Sequence, residues 1–242
     1  MSYRTGVANI WVCDSDGSNP VQLTSFERRT SMPSWSPDGR RIAFDSLEAG
    51  DRNLYVIDAD GGVPRRLTPN PSSDSMGSWS RDGRWIYFSS DRDGTVQVWK
   101  IPVEGGEAAQ VTRGGGVYPA ESRDGRYLYY ASSESASGIR RIPVNGGDET
   151  EIVPGPIAAS VGWILSPSGV YFATLPKQSE LSEEYTIQHL DLESGQVTQL
   201  LRREGDLYHS RVRLAVSPGE EWILFSEAGS WKSELMLVEN FR

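Results

Sequence analysis

Five short apolar, aromatic-rich segments recur along the chain, each bounded by Gly, Pro, Asp or Ser: Ile42-Ala43-Phe44, Trp85-Ile86-Tyr87-Phe88, Tyr127-Leu128-Tyr129-Tyr130, Val170-Tyr171-Phe172 and Trp222-Ile223-Leu224-Phe225. Runs this short, rich in aromatic and β-branched side chains, predict strands buried on both faces and leave no room for helical periodicity. A second strand set follows downstream, at Asn53–Asp58, Val96–Ile101, Ile139–Val144, Thr186–Leu190 and Glu234–Val238. Short strands ending in Thr come next in the first two copies, at Arg65–Thr68 and Ala109–Thr112.

The punctuation between these strands repeats as strictly as the strands do. Trp35-Ser36-Pro37-Asp38-Gly39-Arg40 recurs as Trp79-Ser80-Arg81-Asp82-Gly83-Arg84 and as Glu121-Ser122-Arg123-Asp124-Gly125-Arg126. Weaker copies are Leu165-Ser166-Pro167-Ser168-Gly169 and Val216-Ser217-Pro218-Gly219-Glu220-Glu221-Trp222. The first three spacings are 44, 42 and 44 residues. In each Asp-Gly pair, Gly accepts the positive φ of a tight turn and the Asp carboxylate bonds nearby backbone N–H groups. A period near 44 with four short strands predicts the blades of an all-β propeller.

The repeat sets the expected organisation. Residues 1–24 form a half blade, 31–68, 75–112, 117–153 and 158–201 form full blades, and 208–242 form a last blade without its fourth strand. Shifted by 88 residues, Arg4, Gly6, Trp11, Gly17 and Thr24 fall on Arg92, Gly94, Trp99, Gly105 and Thr112. The chain therefore reads as about five and a half repeats that begin in mid-blade, as expected of a piece of a longer protein.

Across residues 36–68, Ser-Pro-Asp-Gly-Arg, Ile-Ala-Phe, Leu-Tyr-Val-Ile-Asp-Ala-Asp-Gly-Gly and Arg-Arg-Leu-Thr follow in order. This combination resembles the WD40-like repeat of TolB-type β-propellers, which implies a propeller of the six-bladed type. The resemblance implies a relative whose propeller binds a protein partner at its channel mouth. The ending Leu235–Arg242, with Arg140–Gly147, is similar to the propeller halves of large bacterial regulators that carry a winged-helix domain.

Charge narrows the partners. A formal net charge of -9 without a basic stripe argues against direct nucleic-acid binding and against an anionic membrane surface. Cys13 is the one cysteine, so no internal disulfide forms. Nor does any apolar run reach the ~20 residues of a membrane-spanning helix. Met1-Ser2-Tyr3-Arg4 does not lead into a signal-peptide core. Cytoplasmic placement is favoured, and periplasmic placement follows if the parent protein is exported.

Enzyme chemistry lacks its residues. The sequence has no Gly-x-Ser-x-Gly nucleophile elbow, and its two histidines, His189 and His209, fall short of the histidine-rich manganese site that TolB-like oligogalacturonate lyases would imply. Gly114-Gly115-Gly116 reads as a linker, since no Gly-Lys-Ser/Thr follows. Asp14-Ser15-Asp16-Gly17, Asp58-Ala59-Asp60-Gly61 and Asp91-Arg92-Asp93-Gly94 read as turns and not as cofactor sites, with a Ca2+ loop as the alternative.

Binding chemistry is better supplied. Four residues before each turn Ser stand Met32, Met76, Tyr118, Gly162 and Arg213, all expected near the channel mouth. Phe26, Arg28, Arg29, Asp74, Tyr208 and His209 belong to the adjoining loops, and Met with aromatic side chains suits adaptable contact with protein or peptide. The expected function is a non-enzymatic module that recognises a protein, peptide or small ligand at this face. The alternatives are the propeller of a hydrolase or carbohydrate-active enzyme, and an assembly module that pairs copies through open sheet edges.

Overall fold

The computed structural model describes residues 1–132, 138–157, 162–174, 184–204, 214–228 and 233–239. Among these there is no helix, and the fold is all-β, built of antiparallel sheets. The chain divides into two compact units, Met1–Tyr130 with Ile142–Glu149, and Ala131–Arg141 with Thr150–Arg242.

In the first unit, β1 (Trp11–Val12) pairs with β2 (Val21–Gln22) in a two-stranded sheet. Next come β3 (Thr30–Trp35), β4 (Arg41–Ser46), β5 (Asn53–Asp58) and β6 (Gly61–Arg66), hydrogen-bonded in chain order. The following four, β7 (Asp74–Trp79), β8 (Trp85–Ser90), β9 (Gln97–Pro102) and β10 (Ala109–Gln110), repeat that meander. The next sheet takes β11 (Val117–Glu121), β12 (Tyr127–Ala131), β13 (Ile139–Pro143) and β14 (Thr150–Val153), and the division between the units falls within it.

Strand periodicity explains why these sheets stack. Ile42 and Phe44 of β4 point into one apolar cluster with Ile10, Tyr55 and Ile57, while Ala43 between them enters another with Leu54, Val56, Ile86 and Phe88. On β8 the alternation continues, since Ile86 and Phe88 face that second cluster and Tyr87 a third with Val98, Leu128 and Tyr130. Each sheet is thus apolar on both faces and cannot bury them without a neighbour on either side, which is the physical basis of a repeat array.

The Ser-x-Asp-Gly-Arg turns are built alike. Ser36, Ser80 and Ser122 donate Oγ–H to Asp38, Asp82 and Asp124 at 2.6, 2.7 and 2.6 Å. The same Ser Oγ accepts the N–H of Arg41, Trp85 or Tyr127, and Gly39, Gly83 and Gly125 all sit at φ +69°. Here the positive φ requires Gly. The Thr that ends three of the repeats has its own task. Thr24, Thr68 and Thr112 accept, on Oγ1, the N–H of Ile10, Leu54 and Val98, so a buried donor at the start of each third strand is satisfied by a side chain.

In the second unit, β15 (Trp163–Leu165), β16 (Gly169–Thr174), β17 (Glu184–Asp191) and β18 (Val197–Glu204) form a four-stranded meander. Then β19 (Leu214–Val216), β20 (Trp222–Ala228) and β21 (Ser233–Glu239) form a three-stranded sheet. Tyr171, Ala173, Tyr185 and Ile187 of the former bury against Leu214, Ile223 and Phe225 of the latter.

Candidate functional site

Met32, Met76 and Tyr118 are left-handed, at φ 51°, 60° and 54°. A non-glycine residue in this region costs roughly 1–2 kcal/mol, so three at one repeat position mark a site maintained against local preference. In β3 and β7 the pairing register shifts at the same place, between Ser31 and Ser34 and between Ser75 and Ser78. These are bulges, and the residues after them fit: Pro33 and Pro119 have no N–H to lose from the ladder. Gly77 takes their place in β7, where a Cβ would lie 3.2 Å from Leu54 Cδ2. Met32, Met76 and Tyr118 are all half-buried.

A buried carboxylate holds this region together. Asp45, at the end of β4, accepts the Met76 backbone N–H on Oδ2 at 3.3 Å. Its Oδ1 accepts the Ser31 hydroxyl and Arg52 NH1, the latter at 3.3 Å, and Arg52 NH1 also donates to Ser31 Oγ at 3.2 Å. One ion pair thus braces both the residue before Met32 and Met76 itself. The sequence reading passed over Asp45 and Arg52. The available signal was a carboxylate directly continuing the apolar run Ile42-Ala43-Phe44, where the next repeat has Ser89.

The other proposed contact residues are placed as follows. Phe26 packs into the apolar cluster, its ring 5.2 Å from Tyr55 and 6.1 Å from Phe44. Asp74 is fully buried, bonded by Arg92 NH2 on both oxygens (3.1 and 3.2 Å) and by Ser72 Oγ. Both residues brace the region from within. Arg28 and Arg29 are exposed; the Arg28 N–H donates to Glu48 and the Arg29 carbonyl accepts from Leu47. Gly162 is buried, and its carbonyl accepts the Ala173 N–H. Tyr208, His209 and Arg213 lie outside the described residues.

Carboxylates of two of the acidic turns accept hydrogen bonds within the protein, those of the first turn from its own residues. Asp16 accepts the Ser18 N–H at 2.9 Å, and Asp14 accepts Asn19 Nδ2 at 2.7 Å. Asp91 accepts the Ser73 N–H at 2.8 Å.

A second cluster lies in the other unit. Ser168 Oγ meets His189 Nε2 at 3.0 Å and donates to Glu220, which also accepts the Ser168 N–H (2.9 Å) and Tyr171 O–H (3.2 Å). The residue types are those of a hydrolytic triad, but the connectivity is not. In a triad the acid orients the imidazole and the imidazole takes the serine proton. Here the ionised acid itself accepts the serine hydroxyl's hydrogen bond, which leaves Ser168 Oγ as the acceptor for an Nε2–H tautomer of His189. Burial alone would push Glu220 up, yet hydrogen bonds from Ser168, Ser166 and Tyr171 hold it below its ordinary range. Burial also pushes His189 down, against the pull of Glu220 and Asp191. Glu220 is left-handed, at φ 56°, in a turn whose counterparts use Gly. The cluster latches the turn before β20 onto the β15–β18 sheet.

Comparison with known proteins agrees with the fold. Residues 1–155 match the TolB beta propeller domain family. The curated Protein TolB homolog of Chlorobaculum tepidum is 42% identical over 50 residues, which are 21% of this chain and 12% of that protein. The uncharacterized peptidase YuxL of Bacillus subtilis is 43% identical over 44 residues, 18% of this chain and 7% of that one. Among solved structures, TolB from Acinetobacter baumannii superposes with a TM-score of 0.77 at 19% identity, over 96% of this chain and 57% of its own. The chain thus spans little more than half of that TolB and matches a small part of each curated relative.

Proposed function

The chain belongs to the TolB β-propeller domain family, and from that premise we propose that it is a non-enzymatic recognition module, holding a peptide or protein segment on the bulged face of β3, β7 and β11. The observation that carries this reading is the left-handed trio Met32, Met76 and Tyr118, half-buried at one repeat position. Strained backbone positions of this kind cluster at ligand clamps, active sites and switch regions. Two flexible thioethers and a phenol present an adaptable surface, with the exposed Arg28 and Arg29 in the adjoining loop. A part in a larger sensory protein is the natural setting for such a module.

A second reading, the propeller of a peptidase, draws on the identity with YuxL. The two separate in one experiment. A doubly blocked random hexapeptide library is passed over the protein, and retained and released peptides are read by mass spectrometry. Recognition predicts intact retained peptides whose enrichment disappears in Met76→Asp and Tyr118→Asp but survives in Val63→Asp, a change at a residue 92% exposed on β6. Cleaved peptides, or enrichment indifferent to the bulge variants, would sink the proposal.

A further inference from the structure

Two Asp–Arg pairs are built into neighbouring sheets of the first unit, and they leave their guanidinium groups in different states. Arg92 donates through NH2 to both Asp74 oxygens and through Nε to Ser90 Oγ at 2.9 Å. It is also sandwiched, with its guanidinium carbon 5.1 Å from the Phe88 ring and 4.8 Å from that of Trp99, and its side chain is 13% exposed. Its role is complete within the fold.

Arg52 is anchored at one nitrogen. NH1 alone bonds Asp45 and Ser31, and among the described residues no acceptor meets its Nε or NH2. The side chain remains 29% exposed, while Asp45 beneath it is 1% exposed. Arg52 stands in the loop between β4 and β5, tied through Ser31 to the bulge at Met32 and through Asp45 to the bulge at Met76. A buried carboxylate is a costly way to hold an exposed cation, and replacing such pairs with apolar groups is often neutral or stabilising. What this pair provides is a guanidinium fixed in place, so that little side-chain entropy remains to be lost when a ligand arrives. Planar paired donors match a carboxylate, which accepts two parallel hydrogen bonds.

We infer that Arg52 is a specificity-determining residue of the bulged face, where it receives a carboxylate side chain, Asp or Glu, of a bound peptide. This rests on the reading of that face as the binding surface. Asp45 serves as its positioning residue, and the Met32 and Met76 side chains flank the bound acid.

The same hexapeptide library tests it with two further proteins, Arg52→Gln and Arg52→Lys, beside the wild type, each checked by thermal melting. Lys keeps a cation over Asp45 and so guards against failure to fold, but it lacks the planar fork. Peptides enriched by the wild type carry Asp or Glu at one fixed position. Replacing that acid by its amide weakens binding by at least about tenfold in the wild type and leaves Arg52→Lys and Arg52→Gln nearly indifferent. Enriched peptides without a fixed acid, yet lost in Met76→Asp, would overturn the role of Arg52 while leaving the binding face intact. No enrichment by the wild type at all would overturn both.

Discussion

Asp45 Oδ2 accepts the backbone N–H of Met76 at 3.3 Å, although Asp45 lies in the second strand of one sheet and Met76 in the first strand of the next. A side chain in one repeat thereby fixes a strained backbone position in another. The bulge at Met76 is thus braced from the neighbouring repeat as well as from its own strand.

If the left-handed backbone at Met76 is maintained by its surroundings, the usual order of Ala and Gly in a strand reverses there. Gly in a strand is ordinarily the less stable of the two. At φ 60° the Met76→Gly variant should exceed Met76→Ala by about 1 kcal/mol, since only Ala carries the left-handed penalty. Urea unfolding of the two variants measures this difference directly.

Thr112 tests the buried cap. Its Oγ1 accepts the Val98 N–H at 2.9 Å and donates to Gln97 Oε1 at 3.0 Å. Thr112→Val keeps the shape and leaves a buried donor unsatisfied, which should cost roughly 1–3 kcal/mol. A loss below experimental error in denaturant unfolding would show that the bond contributes nothing.

The three acidic turns make the acid limb of stability predictable in sign. Hydrogen bonds from Ser122 and Arg126 hold Asp124 down at about 2, and Asp38 and Asp82 are lowered in the same direction. Lowered carboxylates favour the fold above the unfolded value, near 4, and that contribution fades as pH falls toward 2. Changing Asp38, Asp82 and Asp124 together to Asn should flatten the stability profile across that window. An unchanged profile would assign acid unfolding to other groups.

The latch in the second unit has its own window. His189 lies below its ordinary value in the fold, so the unfolded chain takes up a proton that the folded chain resists. Stability should therefore fall as pH drops below about 6.5, the ordinary histidine value. His189→Gln retains a donor for Ser168 and should remove that slope between pH 7.5 and 5, as read from urea midpoints.

Much of the fold was legible because its causes are local. A Gly at positive φ, an Asp capping its own turn and a doubly apolar strand each leave a mark within a few residues, and these marks recur at 44-residue spacing. The bulges were half-legible: Pro33 and Pro119 announce a break in the ladder, but Met and Tyr have no left-handed preference to announce the conformation itself. The Asp45–Arg52 pair was hidden because the partners and Met76 meet only when two sheets pack. Phe26 looked like a loop residue because the apolar cluster that receives it, Phe44 and Tyr55, comes from strands well downstream. The meeting of Ser168, His189 and Glu220 depends on the β16–β17 register, which sets Tyr171 opposite His189, and on a turn in the following sheet.

The sequence contains four methionines, Met1, Met32, Met76 and Met236, so the methyl spectrum of the protein is simple enough to assign completely. Titrating [13C-methyl]methionine-labelled protein with the most enriched blocked hexapeptide tests the central claim most directly. Saturable, concurrent shifts of the Met32 and Met76 methyl resonances, with Met1 unmoved, are the predicted result. Binding that leaves Met32 and Met76 unmoved would contradict it.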